Sequence, residues 1–88
     1  MNAPLDHRET SDRYLGEIHR QGQYRVILCK DGIQWIIQRQ KRGAAARWQA
    51  LGYCTSREAL LRLWATHNDA ICPELLALPL TVRSSRHG

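Results

Sequence analysis

Two apolar-rich runs on either side of an Asp-Gly pair constrain the fold of this chain more than any other feature. The first run is residues 23–30 and the second is residues 33–40, with Asp31 and Gly32 between them. An Asp-Gly pair favours a two-residue type I′ turn, in which both central residues have positive φ. The pattern therefore predicts an antiparallel hairpin with one strand on each side of this turn.

The two-residue turn also fixes which residues of the hairpin lie opposite each other. It places Lys30 opposite Ile33, and the pairing continues with Leu28–Trp35, Val26–Ile37 and Tyr24–Arg39. Side chains alternate between the two faces of a strand. One face is therefore predicted to form the core, with Tyr24, Val26, Leu28, Ile33, Trp35 and Ile37. The other face is polar with an apolar centre, and it carries Arg25, Ile27, Cys29, Gln34, Ile36, Gln38 and Gln40.

Residues 47–54 are predicted to form a third strand of the same sheet. Alternation places Leu51 and Tyr53 on the core face and Trp48 on the polar face. The inverse assignment, with Trp48 inside, follows if Gly52 marks a β-bulge. The sequence leaves both assignments of the Trp48 side chain open.

A helix start signal follows this third strand directly. Residues 55–58 read Thr-Ser-Arg-Glu, which is the capping-box pattern with Thr55 as the N-cap and Glu58 three residues later. The helix is predicted to run to about Asn68. Its buried stripe, at helical spacing, is Ala59, Leu60, Leu63, Trp64 and His67.

A short second helix is predicted to start at Cys72-Pro73, because proline is favoured in the first turn of a helix. Its leucines are expected to close the open end of the core: Leu75, Leu76 and Leu78. The predicted fold class is therefore α+β. It is a three-stranded antiparallel sheet with one main helix packed on one face and a short second helix near the C-terminus.

The length of 88 residues is enough for one hydrophobic core. We expect a single domain at residues 13–80, preceded by a flexible N-terminus at 1–12 and followed by a flexible basic tail at 81–88. Within the domain, residues 13–19 fit one helical turn slightly better than an extra edge strand.

The charge balance suggests an acidic partner. The whole chain carries a formal net charge of +5. Residues 20–68 alone contain nine Lys or Arg and two acidic residues, Asp31 and Glu58, so this region has a net charge of +7. A basic surplus suits nucleic acid or an acidic protein surface. Simple solubility explains the same surplus equally well.

The cysteines favour a reducing compartment. Cys29, Cys54 and Cys72 are widely spaced, and no C-x-x-C pair is present. We expect Cys29 and Cys54 to be small buried hydrophobes and the protein to be cytoplasmic. Residues 1–12 lack the apolar stretch of a signal peptide, and no run is long enough to span a membrane.

The sequence argues against an enzyme. Asp31 is assigned to the turn and Glu58 to the helix cap, so the predicted domain has no spare pair of carboxylates for acid–base catalysis. The histidines are scattered, at His7, His19, His67 and His87. We therefore expect no catalytic residues, no metal ligands and no cofactor.

The loop after the second strand is the first candidate binding site. Arg39, Lys41, Arg42 and Arg47 lie in or beside it. They could bind phosphates through contacts that do not depend on nucleotide sequence. Alternatively, the loop is a solvated hairpin tip whose charge protects a sheet edge.

The polar sheet face is the second candidate site. It brings together Arg25, Gln34 and Gln38, with Trp48 if the alternation holds. Arginine and glutamine are side chains that reach base edges in the major groove. The apolar centre formed by Ile27 and Ile36 suits a protein interface instead. An ordinary solvated sheet face is the third alternative.

The order of these elements resembles the DNA-binding domains of phage integrase arm-binding regions and of plant ethylene-response factors. The shared residues are Leu51-Gly52 at the end of the third strand, Thr55 as the cap, and Glu58-Ala59 in the first helical turn. The similarity covers about half of the chain. In those families the sheet face opposite the helix reads DNA, which implies DNA contacts for Arg25, Gln34, Gln38 and Arg47.

The chain also resembles small proteins carried by mobile elements of high-GC proteobacteria, on the strand IQWI at 33–36 and the helix start at 56–60. We therefore expect a non-enzymatic binding protein of a mobile element that binds DNA. The alternative is a phage-encoded anti-CRISPR inhibitor that binds host effector proteins, Cascade or Cas, and blocks their binding of target DNA. A homodimer paired through an edge strand is a third hypothesis.

Overall fold

A four-stranded antiparallel sheet with both helices on one face is the architecture of this chain. The computed structural model describes residues 8–42, 47–68 and 72–82. The elements are β1 (Glu17–Gln21), β2 (Tyr24–Leu28), β3 (Trp35–Gln40), β4 (Trp48–Cys54), α1 (Arg57–His67) and α2 (Pro73–Leu76). The strands lie in the order β1-β2-β3-β4, each antiparallel to the next. The α+β class is confirmed, but the sheet has four strands and not three.

Some predictions concern residues outside the described part of the chain. These are the flexibility of residues 1–7 and 83–88, the conformation of the basic loop at 43–46, and the positions of His7 and His87.

The extra strand is β1, so the preference for a helical turn at residues 13–19 was wrong and the edge-strand alternative holds from Glu17 onward. Gly22, with φ of +62°, allows the tight turn that pairs Gln21 with Tyr24. The apolar residues that suggested a helix face belong to opposite faces of the sheet. Ile18 packs on the side of the helices, whereas Tyr14 packs on the other side.

The register of the β2–β3 hairpin was predicted correctly, but its turn was not. Leu28 pairs with Trp35, as expected. Gly32 has a φ of +71° and Asp31 does not have a positive φ, so the turn is not type I′. Gly32 N donates to the Cys29 carbonyl at 2.9 Å, and Ile33 is 56% exposed instead of facing the core. In this longer loop only Gly32 has the left-handed conformation, so Asp31 avoids the steric strain that a positive φ would cause.

A β-bulge in β4 decides which of its side chains face the helices. Ile37 pairs with Gly52 and Gln38 pairs with Ala50, which leaves Leu51 as the extra residue. Leu51 faces the core as predicted. Beyond the bulge the alternation is reversed, so Tyr53 lies opposite Ile36 and is 61% exposed, against the prediction.

Gly52 shows how closely α1 approaches the sheet at this bulge. A β-carbon at Gly52 would collide with the side chain of Leu63. The bulge therefore marks the place where the backbone of β4 must lie directly against the helix. The expectation that Gly52 marks a β-bulge was correct. The bulge turns Tyr53 away from the core, however, and Trp48 stays on the face away from the helices.

The start of α1 differs from the predicted capping box by one residue. Ser56 is the N-cap, and its hydroxyl accepts from the Ala59 amide at 3.2 Å. Glu58 pairs with Arg62 at 3.1 Å instead of reaching back to a capping residue. The Thr55 carbonyl accepts from Val82 N at 2.9 Å, which ties Thr55 to the returning chain.

The helices close the apolar core against one face, which we call the helix face. Leu60 and Trp64 of α1 and Leu75 of α2 are buried there against Val26 and Ile37. His67 was predicted inside but is exposed, where its ring stacks on Tyr24 at a centroid distance of 5.4 Å. The expected closure of the core by three leucines is correct for Leu75 and Leu78 and wrong for Leu76, which is exposed.

Candidate nucleic-acid interface

Residues 8–16, which we call the arm, cover the sheet face opposite the helices. The Tyr14 hydroxyl donates to the Leu28 carbonyl at 2.7 Å, and Trp48 N donates to the Thr10 carbonyl at 3.1 Å. Tyr14 completes a second buried cluster with Ile27, Cys29 and Ile36. We call this side the arm face. The expectation that it is open to solvent was wrong, so Ile27 and Ile36 offer no exposed interface here.

Arg25 lies at the centre of the arm face and is 0% exposed. It donates to Gln38 Oε1 at 2.7 Å, to Glu17 Oε1 at 3.0 Å, and to the backbone carbonyls of Glu9 and Ser11 at 3.0 and 2.8 Å. Burial lowers the pKa of the Arg25 guanidinium, and the hydrogen bond to Glu17 opposes that shift. A buried charge requires such partners. Four of the five guanidinium N–H groups donate to them, and because the side chain is fully buried, Arg25 cannot reach a base while the arm is in place.

Trp48 and Arg20 extend this network toward the arm. The guanidinium of Arg25 lies 4.3 Å from the centre of the Trp48 ring, and that of Arg20 lies 4.9 Å from it. Asp12 accepts from Trp48 Nε1 at 3.1 Å and from Arg20 Nη1 at 2.9 Å. Burial acts to raise the pKa of Asp12, but the Trp48 hydrogen bond and the Arg20 charge outweigh it and lower the pKa below 3.8.

Four basic side chains stay exposed at one end of the sheet, and we call them the basic end: Arg39, Lys41, Arg42 and Arg47. Lys41 N donates to the Arg47 carbonyl at 2.8 Å, so the backbones of β3 and β4 hold this end together. Within residues 8–42, 47–68 and 72–82, no carboxylate forms an ion pair with these four. A concave surface beside them is lined by Gln23, Arg39, Gln40, Lys41, Arg42 and Gln49.

The structure therefore separates the residues that the sequence placed in one site. The basic end is exposed and contiguous. Arg25, Gln38 and Trp48 lie buried under the arm, and Gln34 lies at the far hairpin, where its carbonyl accepts from Cys29 N at 3.0 Å. The binding roles assigned to these residues stay predictions, but their accessibility differs.

Sequence reasoning missed the acidic residues that hold the arm face. Glu9 and Asp12 fell in the segment expected to be flexible, and Glu17 was not assigned a partner. A weak signal was present: Glu9, Asp12 and Glu17 lie close together in the sequence, shortly before strands rich in cations, although Arg8 and Arg13 lie among them. Charge complementarity between neighbouring segments could have suggested the contact, although it does not specify which face is covered.

The cysteines of this chain lie in the interior of the fold. All three cysteines are free and buried, and burial raises the pKa of the Cys54 and Cys72 thiols, so both stay protonated at neutral pH. In the described part of the chain, His, Cys, Asp and Glu side chains form no group of three that could hold a metal ion. Neither described helix is long and apolar enough to cross a membrane.

Comparisons of the chain with models of protein families, with curated proteins and with solved structures found no match. The function is therefore inferred from the surfaces of the molecule itself, above all from the contrast between the exposed basic end and the covered Arg25.

Proposed function

We propose that this protein binds nucleic acid through the basic end, without a catalytic step. The observation that carries the proposal is the exposure of four neighbouring cations that have no ion-pair partner among the described residues. Like charges held close together repel one another unless a counter-charge is present. Phosphate groups supply that counter-charge, and their neutralisation releases bound counterions.

Most other cations of the described chain already have partners. Arg20 pairs with Asp12 and Glu17, and Arg62 pairs with Glu58. Arg57 donates to the carbonyls at 76 and 78 through its guanidinium, at 3.1 and 2.9 Å. The positive potential available to a polyanion is therefore concentrated at the basic end, which supports a defined binding site over a diffuse basic surface.

The chemistry of the basic end suits backbone recognition. Three glutamines, Gln23, Gln40 and Gln49, line the concave surface beside the cations and can donate to phosphate or sugar oxygens. The predicted base readers, Arg25 and Gln38, are hydrogen-bonded under the arm. We therefore expect affinity for duplex DNA with little dependence on its sequence.

The test is titration of a short labelled duplex DNA at about 50 and about 200 mM salt, where affinity should fall with a log–log slope of up to about 3.6 for four phosphate contacts. The double variant Lys41→Ala with Arg42→Ala should lower that slope by about 2 and weaken binding. Both side chains are exposed, so the fold should be unaffected.

The matched control is Lys30→Ala with Arg62→Ala. It removes the same charge from the far hairpin and from the exposed side of α1. It should reduce DNA affinity much less than the basic-end variant. Equal losses in the two variants would mean that only net charge matters, and absence of binding at the lower salt would refute the proposal.

A second candidate function is inhibition of a host protein complex, with CRISPR effectors as the sharpest version. A groove at the opposite end of the sheet favours it, because Leu15, Leu78, Pro79 and Val82 line the groove and Leu80 beyond it is 70% exposed. A purified effector complex should then co-elute with the protein, and Leu15→Asp should abolish co-elution. Persistence of the complex in that variant would exclude this groove.

A further inference from the structure

We propose that the arm is a displaceable cover over a second nucleic-acid-binding surface, which extends the basic end across the sheet. The inference rests on the proposed function and adds a regulatory element to it. The surface under the arm contains Arg20, Arg25, Gln38 and Trp48. In the closed state it is covered by the arm, whose backbone carbonyls and Asp12 carboxylate accept its hydrogen bonds.

Many of the hydrogen bonds between the arm and the sheet have their donor on the sheet. Arg25 Nη2 donates to the Glu9 and Ser11 carbonyls, and Gln38 Nε2 donates to the Glu9 carbonyl at 2.9 Å. The sheet also donates through Trp48 Nε1 and Arg20 to Asp12. The Tyr14 hydroxyl donates in the opposite direction, from the arm to the Leu28 carbonyl. A surface that presents donors to oxygen acceptors presents the chemistry that phosphate oxygens require.

Lifting the arm would change the charge of this surface. In the closed state the guanidiniums of Arg20 and Arg25 face two carboxylates, Asp12 and Glu17. Asp12 leaves with the arm, whereas Glu17 belongs to β1 and stays. Two cations would then share one carboxylate beside the exposed indole of Trp48. Arginines beside an aromatic ring form the kind of surface on which bases stack and phosphates bind.

The covered surface is continuous with the basic end. Ser11 of the arm forms an isolated antiparallel bridge with Arg47, and the next residue, Trp48, donates its amide to the Thr10 carbonyl. A polyanion held by Arg47 therefore lies beside the arm's first contacts with the sheet. Because it has more affinity for the uncovered surface than for the covered one, it shifts the equilibrium toward the open arm.

A disulfide that locks the arm gives the most direct test. Residues at a paired position of antiparallel strands have a Cα separation that suits a disulfide, so Ser11→Cys with Arg47→Cys should crosslink on oxidation. The oxidised and reduced forms of this one variant share the loss of Arg47. We expect the reduced form to bind labelled duplex DNA about ten-fold more tightly, within the usual range of coupling between sites.

A charge variant tests the same inference without a crosslink. Glu9→Gln with Asp12→Asn keeps the hydrogen-bond acceptors but removes the charges that hold the arm. Its control, Asp31→Asn with Glu58→Gln, removes two exposed carboxylates elsewhere. Thermal melting first establishes that both variants are folded. The arm variant should then bind duplex DNA about five-fold more tightly than the control variant does.

The outcomes separate the inference from the function on which it rests. Equal affinity of the oxidised and reduced forms, or equal gains in the two charge variants, overturns the displaceable arm while binding at the basic end stands. Failure of the wild-type protein and of the reduced variant to bind DNA at about 50 mM salt overturns both proposals.

Discussion

The two faces of one sheet are closed by different means, and the difference indicates which side of the molecule can open. On the helix face, Leu60, Trp64 and Leu75 pack against apolar side chains of the strands. On the arm face, the buried set includes Arg25 and Gln38 beside the isoleucines. Apolar burial has no direction and needs no particular partner. Each polar bond on the arm face needs a matching acceptor, which the arm supplies now and another molecule could supply instead.

The energies of the two closures also differ. A fully buried large apolar side chain stabilises the fold by about 1.5–3 kcal/mol, whereas a typical hydrogen bond contributes a net of about 0.5–1.5 kcal/mol. The helix face therefore holds the fold together. The arm face combines the apolar cluster around Tyr14 with the hydrogen bonds of a buried cation, and we propose that it opens when another molecule supplies equivalent acceptors.

The largest effect is expected on the helix face. Trp64→Ala removes a buried ring from the centre of the core and should lower the free energy of unfolding by about 3–5 kcal/mol in urea denaturation. Trp64→Phe should cost much less, because it keeps most of the apolar area and removes an indole N–H whose contact with the Cys72 sulfur is at most a weak hydrogen bond. Similar costs for both variants would show that the ring's polar end matters after all.

A smaller but still substantial effect is expected for Arg25→Met on the arm face. Methionine fills the space but leaves Gln38 Oε1 and the Ser11 carbonyl without the Arg25 donor, while the Glu9 carbonyl keeps its bond from Gln38 Nε2. Removing one partner from a buried charged network costs about 3–5 kcal/mol, and we expect about 2–3 kcal/mol here because Glu17 keeps its bonds to Arg20. A neutral or stabilising result in urea denaturation would mean that the arm does not cover Arg25 in solution.

The smallest effect concerns Tyr14, whose hydroxyl ties the arm to β2. Burial raises the pKa of Tyr14 from 10.0 to about 12, because its neutral form is favoured in the folded state. The stabilisation of the folded state that comes from keeping the Tyr14 hydroxyl neutral is fully present below pH 10.0 and is lost as the pH rises toward about 12.

Tyr14→Phe lacks this ionisation, so comparison with the wild type isolates it. At neutral pH the wild type should be more stable by about 1 kcal/mol, the net value of one hydrogen bond. That advantage should disappear near about pH 11, since each pKa unit corresponds to about 1.4 kcal/mol. A difference that stays constant across the alkaline range would contradict the burial of the Tyr14 hydroxyl.

The helix face could be predicted from the sequence because its signals are periodic. Alternation in β2 and β3 identified Val26 and Ile37, and helical spacing identified Leu60 and Trp64. The register of the β2–β3 hairpin was also predicted correctly. The type of turn was not, because the connecting loop is longer than two residues and needs a positive φ at Gly32 alone. The bulge at Leu51 reversed the alternation beyond it, so alternation placed Trp48 on the correct face and Tyr53 on the wrong one.

The arm face could not be predicted in the same way. The sequence pattern of β2 and β3, with Arg25 and Gln38 on the face away from the helices, is the same whether water or another segment covers that face. Whether this face is covered depends on contacts between residues far apart in sequence, such as the hydrogen bond from Gln38 to Glu9. The candidate residues of the basic end are exposed, whereas Arg25, Gln38 and Trp48 are buried under the arm, and the binding role of both groups stays a prediction.

The most direct test of the covered arm face is hydrogen exchange of the Trp48 indole N–H in the free protein, followed by NMR and assigned with Trp48→Phe. This group donates to Asp12, and the side chain is buried beneath the arm. The structure predicts slow exchange in the free protein, and displacement of the arm predicts faster or altered exchange when duplex DNA is added. Exchange as fast as that of an exposed indole, without DNA, would contradict the covered arm face.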